Sequence, residues 1–148
     1  MARTKSNDFQ TYIGIRTTDG LGWLYNYRGS QVALFLVMAS MSTGIDNVVD
    51  FSAAKKKRVQ AMLGLTSQSL IRLQRELEQG ESPLIVRISY TEFMLNPDAF
   101  IGHNMSVRYY QQNRVKFAKA LQWRRQNDFG NGTTRKIYME ENEAVSGE

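Results

Sequence analysis

Val59-Gln60-Ala61-Met62-Leu63-Gly64-Leu65-Thr66-Ser67-Gln68-Ser69-Leu70-Ile71-Arg72-Leu73 reads as two helices joined by a tight turn. Gly64 stands where the first helix needs a left-handed residue to stop. Thr66 or Ser67 caps the second helix, which the pattern extends over residues 68–79. Leu70, Leu73 and Leu77 lie three and four apart and give it a core stripe. Val59, Leu63, Leu65, Leu70 and Leu73 occupy the inward positions of a helix-turn-helix. Two residues depart from the usual pattern: Gln60 takes a crowded position where alanine is common, and Ile71 falls near the exposed side.

Upstream, Ser52 can cap a helix over residues 53–63 whose first turn carries Lys55, Lys56, Lys57 and Arg58. Cations at a helix N-terminus oppose the helix dipole, at a cost of about a few tenths of a kcal/mol each. That cost is easier to understand if the cluster meets phosphate; the alternative is a solvated face. Val48-Val49-Asp50-Phe51 is a short extended piece, and Ser30 is positioned to cap a strongly apolar, buried helix over residues 31–41. Residues 9–28 stay open: Tyr12-Ile13-Gly14-Ile15-Arg16 fits a strand, while Phe9, Tyr12 and Ile13 fit a helical face.

Downstream, Gly80 ends the second helix. Residues 84–88 and 92–95 read as two strands joined by Ser89-Tyr90-Thr91. Asn96-Pro97-Asp98 opens a brief helical turn, with proline tolerated at its first position. Ser106 can cap a last helix to about residue 123, with Val107, Tyr110, Phe117 and Leu121 on its apolar side and Arg108, Lys116 and Lys119 off it. The order helix, short strand, helix, tight turn, helix, hairpin predicts a mainly α chain with a small β-hairpin wing, a winged helix-turn-helix. The expectation is one domain over residues 1–126, with its core at about 30–101 and its C-terminal helix at about 106–123. Residues 127–148 read as a flexible acidic tail.

The charge is unevenly spread. All nineteen Lys and Arg precede residue 140, whereas four of the fourteen acids lie at or after it, so residues 1–139 carry +9 against +5 for the 148-residue chain. A body this basic favours a polyanionic partner, or serves solubility alone. The outer face of the second helix supplies a candidate reader in Thr66, Ser67, Gln68, Ser69, Arg72 and Arg75. Gln can bond adenine, Arg can bond guanine through two hydrogen bonds, and hydroxyls reach bases or phosphate. Arg87 and Tyr90 stand near the hairpin tip, where a wing touches phosphate or the minor groove; a plain two-stranded cap on the core is the alternative.

The run Glu92-Phe93-Met94-Leu95-Asn96-Pro97-Asp98-Ala99-Phe100 resembles the segment after the wing in RepL-type plasmid replication initiators, where the second wing strand ends in Leu-Asn-Pro or Ile-Asn-Pro. Leu65-Thr66-Ser67-Gln68-Ser69 through Leu77 is also similar to their recognition helix. The likeness covers roughly residues 30–120. It implies a winged helix that binds origin DNA of a plasmid or another mobile element and recruits host replication proteins. It also implies a helical segment over the first twenty-odd residues.

The residue inventory argues against catalysis. One histidine (His103, read as a loop residue) and no cysteine leave no paired-histidine metal centre and no disulfide. The carboxylates Asp50, Glu76, Glu78, Glu92 and Asp98 are scattered, without a two-metal signature. Asp128-Phe129-Gly130 lacks the companion loops of a kinase, and no Gly-x-x-x-x-Gly-Lys loop is present. The longest apolar run, residues 32–41, is well short of the roughly 20 residues of a spanning helix. The sequence therefore predicts a non-enzymatic, cofactor-free protein of a bacterial cytoplasm that binds double-stranded DNA, with no membrane partner. The last helix either packs on its own domain or forms a homodimer. A transcriptional regulator, or a winged helix that binds protein instead of DNA, fits the same core.

Overall fold

A computed structural model describes residues 14–15, 26–42, 46–101 and 107–127. Among these the chain is mainly helical, with four helices and a small three-stranded antiparallel sheet. The elements run β1 (Gly14–Ile15), α1 (Gly29–Met41), β2 (Val48–Asp50), α2 (Ala53–Leu63), α3 (Ser67–Leu77), β3 (Ile85–Arg87), β4 (Glu92–Leu95), β5 (Phe100–Ile101) and α4 (Val107–Gln126). No helix among the described residues is long and apolar enough to cross a membrane.

α1 is the central helix. Leu34, Phe35, Met38 and Ala39 are completely buried, spaced as one helical face. Its start differs from the expectation at Ser30. Arg28 is the N-cap, and the Gln31 side chain reaches back to accept a 2.8 Å hydrogen bond from the Arg28 amide. Gln31 thus satisfies a helix-end donor from the third helical position, which a search for a capping Ser or Asp does not detect.

The sheet order is β2-β4-β3. Val49 faces Phe93 across β2 and β4, and Ile85 faces Leu95 across β3 and β4. These four join α1, α2 and α3 in the main core, where Phe51 meets Phe93 edge-on with centroids 6.0 Å apart. Alternation sends Val48, Val86 and Met94 to the other face. There they pack with Ile88 against Phe117 and Ala120 of α4. The sheet is thus covered on both sides, which explains why residues 84–88 read as a nearly continuous apolar run.

α4 corrects the expected stripe. Phe117 and Leu121 do face the sheet, but Val107 is 73% exposed, and the buried positions are Asn113, Phe117 and Ala120. The helix meets the sheet through its middle, so its first-turn valine lies beyond the sheet and a polar residue takes the inward place. Packing on its own domain therefore accounts for Phe117 and Leu121.

The Asn-Pro segment is a joint. Asn96 Nδ2 donates to the Pro83 carbonyl at 2.8 Å, and its Oδ1 accepts from the Asp98 amide at 2.8 Å. Asp98 in turn accepts from the Tyr110 hydroxyl at 2.6 Å and lies 3.5 Å from Arg114, tying the turn to α4. The chain then continues into β5, which pairs with β1 through Gly14–Ile101 and Ile15–Phe100. Within residues 9–28, Gly14–Ile15 is a strand, as one of the two readings had it; Phe9, Tyr12 and Ile13 of the helical reading lie outside the described residues. Ser106, His103, residues 128–148 and the rest of residues 9–25 lie outside the described residues.

Candidate nucleic-acid interface

The turn between α2 and α3 forms as its residues dictate. Gly64 has φ +67°, the left-handed value that favours glycine, and the Leu65 amide donates back to Gln60 at 2.9 Å. Thr66 caps α3: its Oγ1 accepts from the Ser69 amide at 3.1 Å and donates to Ser69 Oγ at 3.0 Å. Val59, Leu70 and Leu73 are buried, with Leu63 and Leu65 packed beside them, as the motif requires. α3 ends at Leu77, two residues before the expected limit.

This packing turns one polar face of α3 outward. Ser67, Gln68, Arg72 and Arg75 are exposed, with Ile71 between them at 42% exposure. Two guanidiniums, one amide and one hydroxyl suit donors for base edges, and an exposed Ile can meet a thymine methyl. Ser69 is half-buried and committed to the Thr66 cap, so it positions the helix start instead of extending the face. Glu76 fixes the other flank of α3 to α1. It accepts from Arg28 at 2.7 Å and from Gln31 Nε2 at 2.9 Å, and it lies 3.8 Å from Arg72. The Gln31 hydrogen bond, followed by the charges of Arg28 and Arg72, holds its carboxyl below the usual range, against an opposing desolvation effect.

The basic cluster of α2 divides in two. Lys57 and Arg58 are exposed. Lys55 is half-buried, 3.5 Å from Asp50 on β2, and anchors the helix start to the sheet. Lys56 is half-buried, and burial, reinforced by the charge of Arg87, lowers its pKa. Ser52 does occupy the N-cap position, but its side chain makes no cap hydrogen bond.

At the hairpin, Tyr90 is 39% exposed at the tip, while Arg87 is half-buried. The Arg87 guanidinium lies 4.9 Å from the Phe93 ring centre and donates to the Tyr90 carbonyl at 2.8 Å. Arg87 therefore shapes the tip as well as charging it. Its amide, on the edge strand β3, donates to Glu78 Oε1 at 3.1 Å, and the same oxygen accepts from Arg124 Nε at 3.2 Å. A strand edge that would otherwise present a bare donor is covered in this way.

Lys56, Arg75, Arg87 and Tyr90 come together around one pocket of about 330 Å³ between α2, α3, the hairpin and the end of α4. Thr66, Ser67 and Gln68, at the other end of α3, do not line it. Sequence reasoning did not single out Gln74, Glu78 and Arg124, which also line it. Gln74 was detectable as a polar residue one turn after Leu70 on the core stripe; Arg124 had no local signal, because α4 reaches the pocket only through tertiary packing. No protein-family profile matches the chain, and no curated protein or solved structure matches it.

Proposed function

We propose that the chain is a winged-helix protein that reads double-stranded DNA by sequence, with α3 as recognition helix and the β3–β4 hairpin as wing. The observation that carries this reading is the outward face of Ser67, Gln68, Ile71, Arg72 and Arg75, presented beside the basic pocket that reaches the hairpin. Such a face supplies base-edge donors on one helix and phosphate-directed charge on its flanks. The element order and the β2-β4-β3 sheet support the winged-helix assignment. The Asn96-Pro97-Asp98 segment and its resemblance to RepL-type initiators support a role at a replication origin of a plasmid or mobile element. There the protein would recruit host machinery and catalyse no step itself.

Selection from a pool of random duplexes tests the first step, followed by affinity measurement across salt for the winner and a scrambled control. The expected result is a winner about a thousandfold tighter than the control. Log affinity should fall linearly with log salt, by about 0.9 per phosphate neutralised. Equal, weak binding of both duplexes would remove the DNA-reading proposal and favour a protein-binding module. For the second step, Arg72→Ala should abolish maintenance of the replicon at normal protein level. Normal maintenance, with the selected site overlapping a promoter, would make the protein a transcriptional regulator.

A further inference from the structure

Among the described residues, the lining of the pocket between α3, the hairpin and the end of α4 carries net positive charge. Lys56, Arg75, Arg87 and Arg124 line it, with Glu78 the one carboxylate among the described lining residues. Glu78 is already engaged through Oε1 with the Arg87 amide and with Arg124. Excess positive charge held in a concave, partly desolvated site raises the local concentration of anions.

A second observation points the same way. Gln74 also lines the pocket and is 2% exposed, yet its side-chain Nε2 has no hydrogen-bond partner. A buried amide donor without an acceptor is unfavourable, so such groups are normally satisfied. The acceptor that Gln74 lacks and the net positive charge of the pocket lining are met by the same kind of ligand. At about 330 Å³ the pocket far exceeds the roughly 10–15 Å³ that one water requires.

We propose that this pocket binds a phosphate group, with Gln74 Nε2 donating to one phosphate oxygen and Lys56, Arg75 and Arg124 surrounding the others. The lowered pKa of Lys56, caused by burial and by the neighbouring Arg87 charge, accords with this, because a negative charge beside the ammonium offsets both effects. If the phosphate is a backbone phosphodiester, the pocket fixes the register of α3 in the groove, and that assignment rests on the proposed DNA reading. The phosphate site itself does not rest on it, since a small phosphate-bearing ligand has the same chemistry.

The test uses the full, isotope-labelled chain and follows the Gln74 side-chain amide and the Arg124 Nε resonance by NMR. Inorganic phosphate is titrated at constant ionic strength against chloride, and a duplex is then added. Both resonances should shift saturably with phosphate and not with chloride. Gln74→Leu, similar in volume and without the donor, should weaken phosphate binding about tenfold as read at Arg124. Arg75→Gln, at an exposed side chain, should weaken it in a chain whose core is untouched. Displacement of phosphate by the duplex identifies the DNA backbone as source; retention identifies a small ligand. Equal responses to phosphate and chloride, or unchanged phosphate affinity in both variants, would overturn the site. A chain that binds phosphate but no duplex breaks the DNA reading alone.

Discussion

α3 and α4 both lie against the sheet-and-helix core, yet one is transparent in the sequence and the other is not. In α3, Leu70, Leu73 and Leu77 face inward and Gln68, Arg72 and Arg75 face out, with the buried Gln74 and the exposed Ile71 as its two exceptions. In α4, Asn113 is buried while Val107 and Val115 are exposed. α3 packs against α1 through its leucine stripe, and its one buried polar residue, Gln74, lies at the pocket. α4 covers the second face of a three-stranded sheet only where that sheet extends, and its pattern is diluted accordingly. Amphipathicity therefore records how much of a helix is covered, and only a helix covered from end to end announces itself.

The largest expected effect sharpens this contrast on the α3 side. Leu73→Ala should cost about 4 kcal/mol in urea unfolding, because the site is enclosed by α1 and the sheet and cannot collapse. Phe117→Ala should cost about 3 kcal/mol despite removing a larger side chain. Its cluster is small and its ring keeps 6% exposure, so the neighbours can relax into the space. A Phe117→Ala loss well above that of Leu73→Ala would show α4 to be an integral wall of the fold, and the comparison would fail.

One position along, the sign of the experiment reverses. Arg72→Ala should leave stability within about 0.5 kcal/mol of the parent. It should lower the preference for the selected duplex over a scrambled one by about tenfold, within the 1–3 kcal/mol of one guanine contact. Loss of specific and non-specific binding in equal proportion would make Arg72 a phosphate contact and shift the reading to Gln68 and Arg75.

What was legible in the sequence divides along the same line. Gly64, the Thr66 cap and the α3 stripe are local, because each is fixed by residues within one turn, and each was readable. The exposed position of Ile71 was readable for the same reason. The helix start at Arg28 depends on a side chain three residues later, and Gln31 is chosen as much for Glu76 on α3 as for the cap. The pairing of β1 with β5 joins residues more than eighty positions apart. The pocket assembles Lys56, Gln74, Arg87 and Arg124 from four elements, and no spacing rule connects them. The outward polar face of α3 was thus visible as a face. The division of the basic cluster, with Lys55 anchoring to Asp50 and Lys56 turned to the pocket, required the tertiary structure.

The smallest effect concerns how firmly α3 is held against α1. Glu76 joins it to Arg28 and Gln31 at the start of α1, and those partners hold its carboxyl below the ordinary carboxylate range. A folded-state pKa below the unfolded one means that the contribution to stability is complete above the unfolded value. It is lost as pH falls through that value toward the folded one. The chain should therefore lose a small part of its stability on the acid side of the carboxylate range. Glu76→Gln should flatten that limb of a stability-against-pH curve while leaving the neutral-pH value little changed, since the pair is partly open to solvent. Gln31→Leu should flatten it too, because the Gln31 hydrogen bond is the largest cause of the shift. An acid limb unchanged in both variants would mean that the α1–α3 clasp contributes nothing measurable in solution, and that the buried leucine stripe holds α3 in place without it.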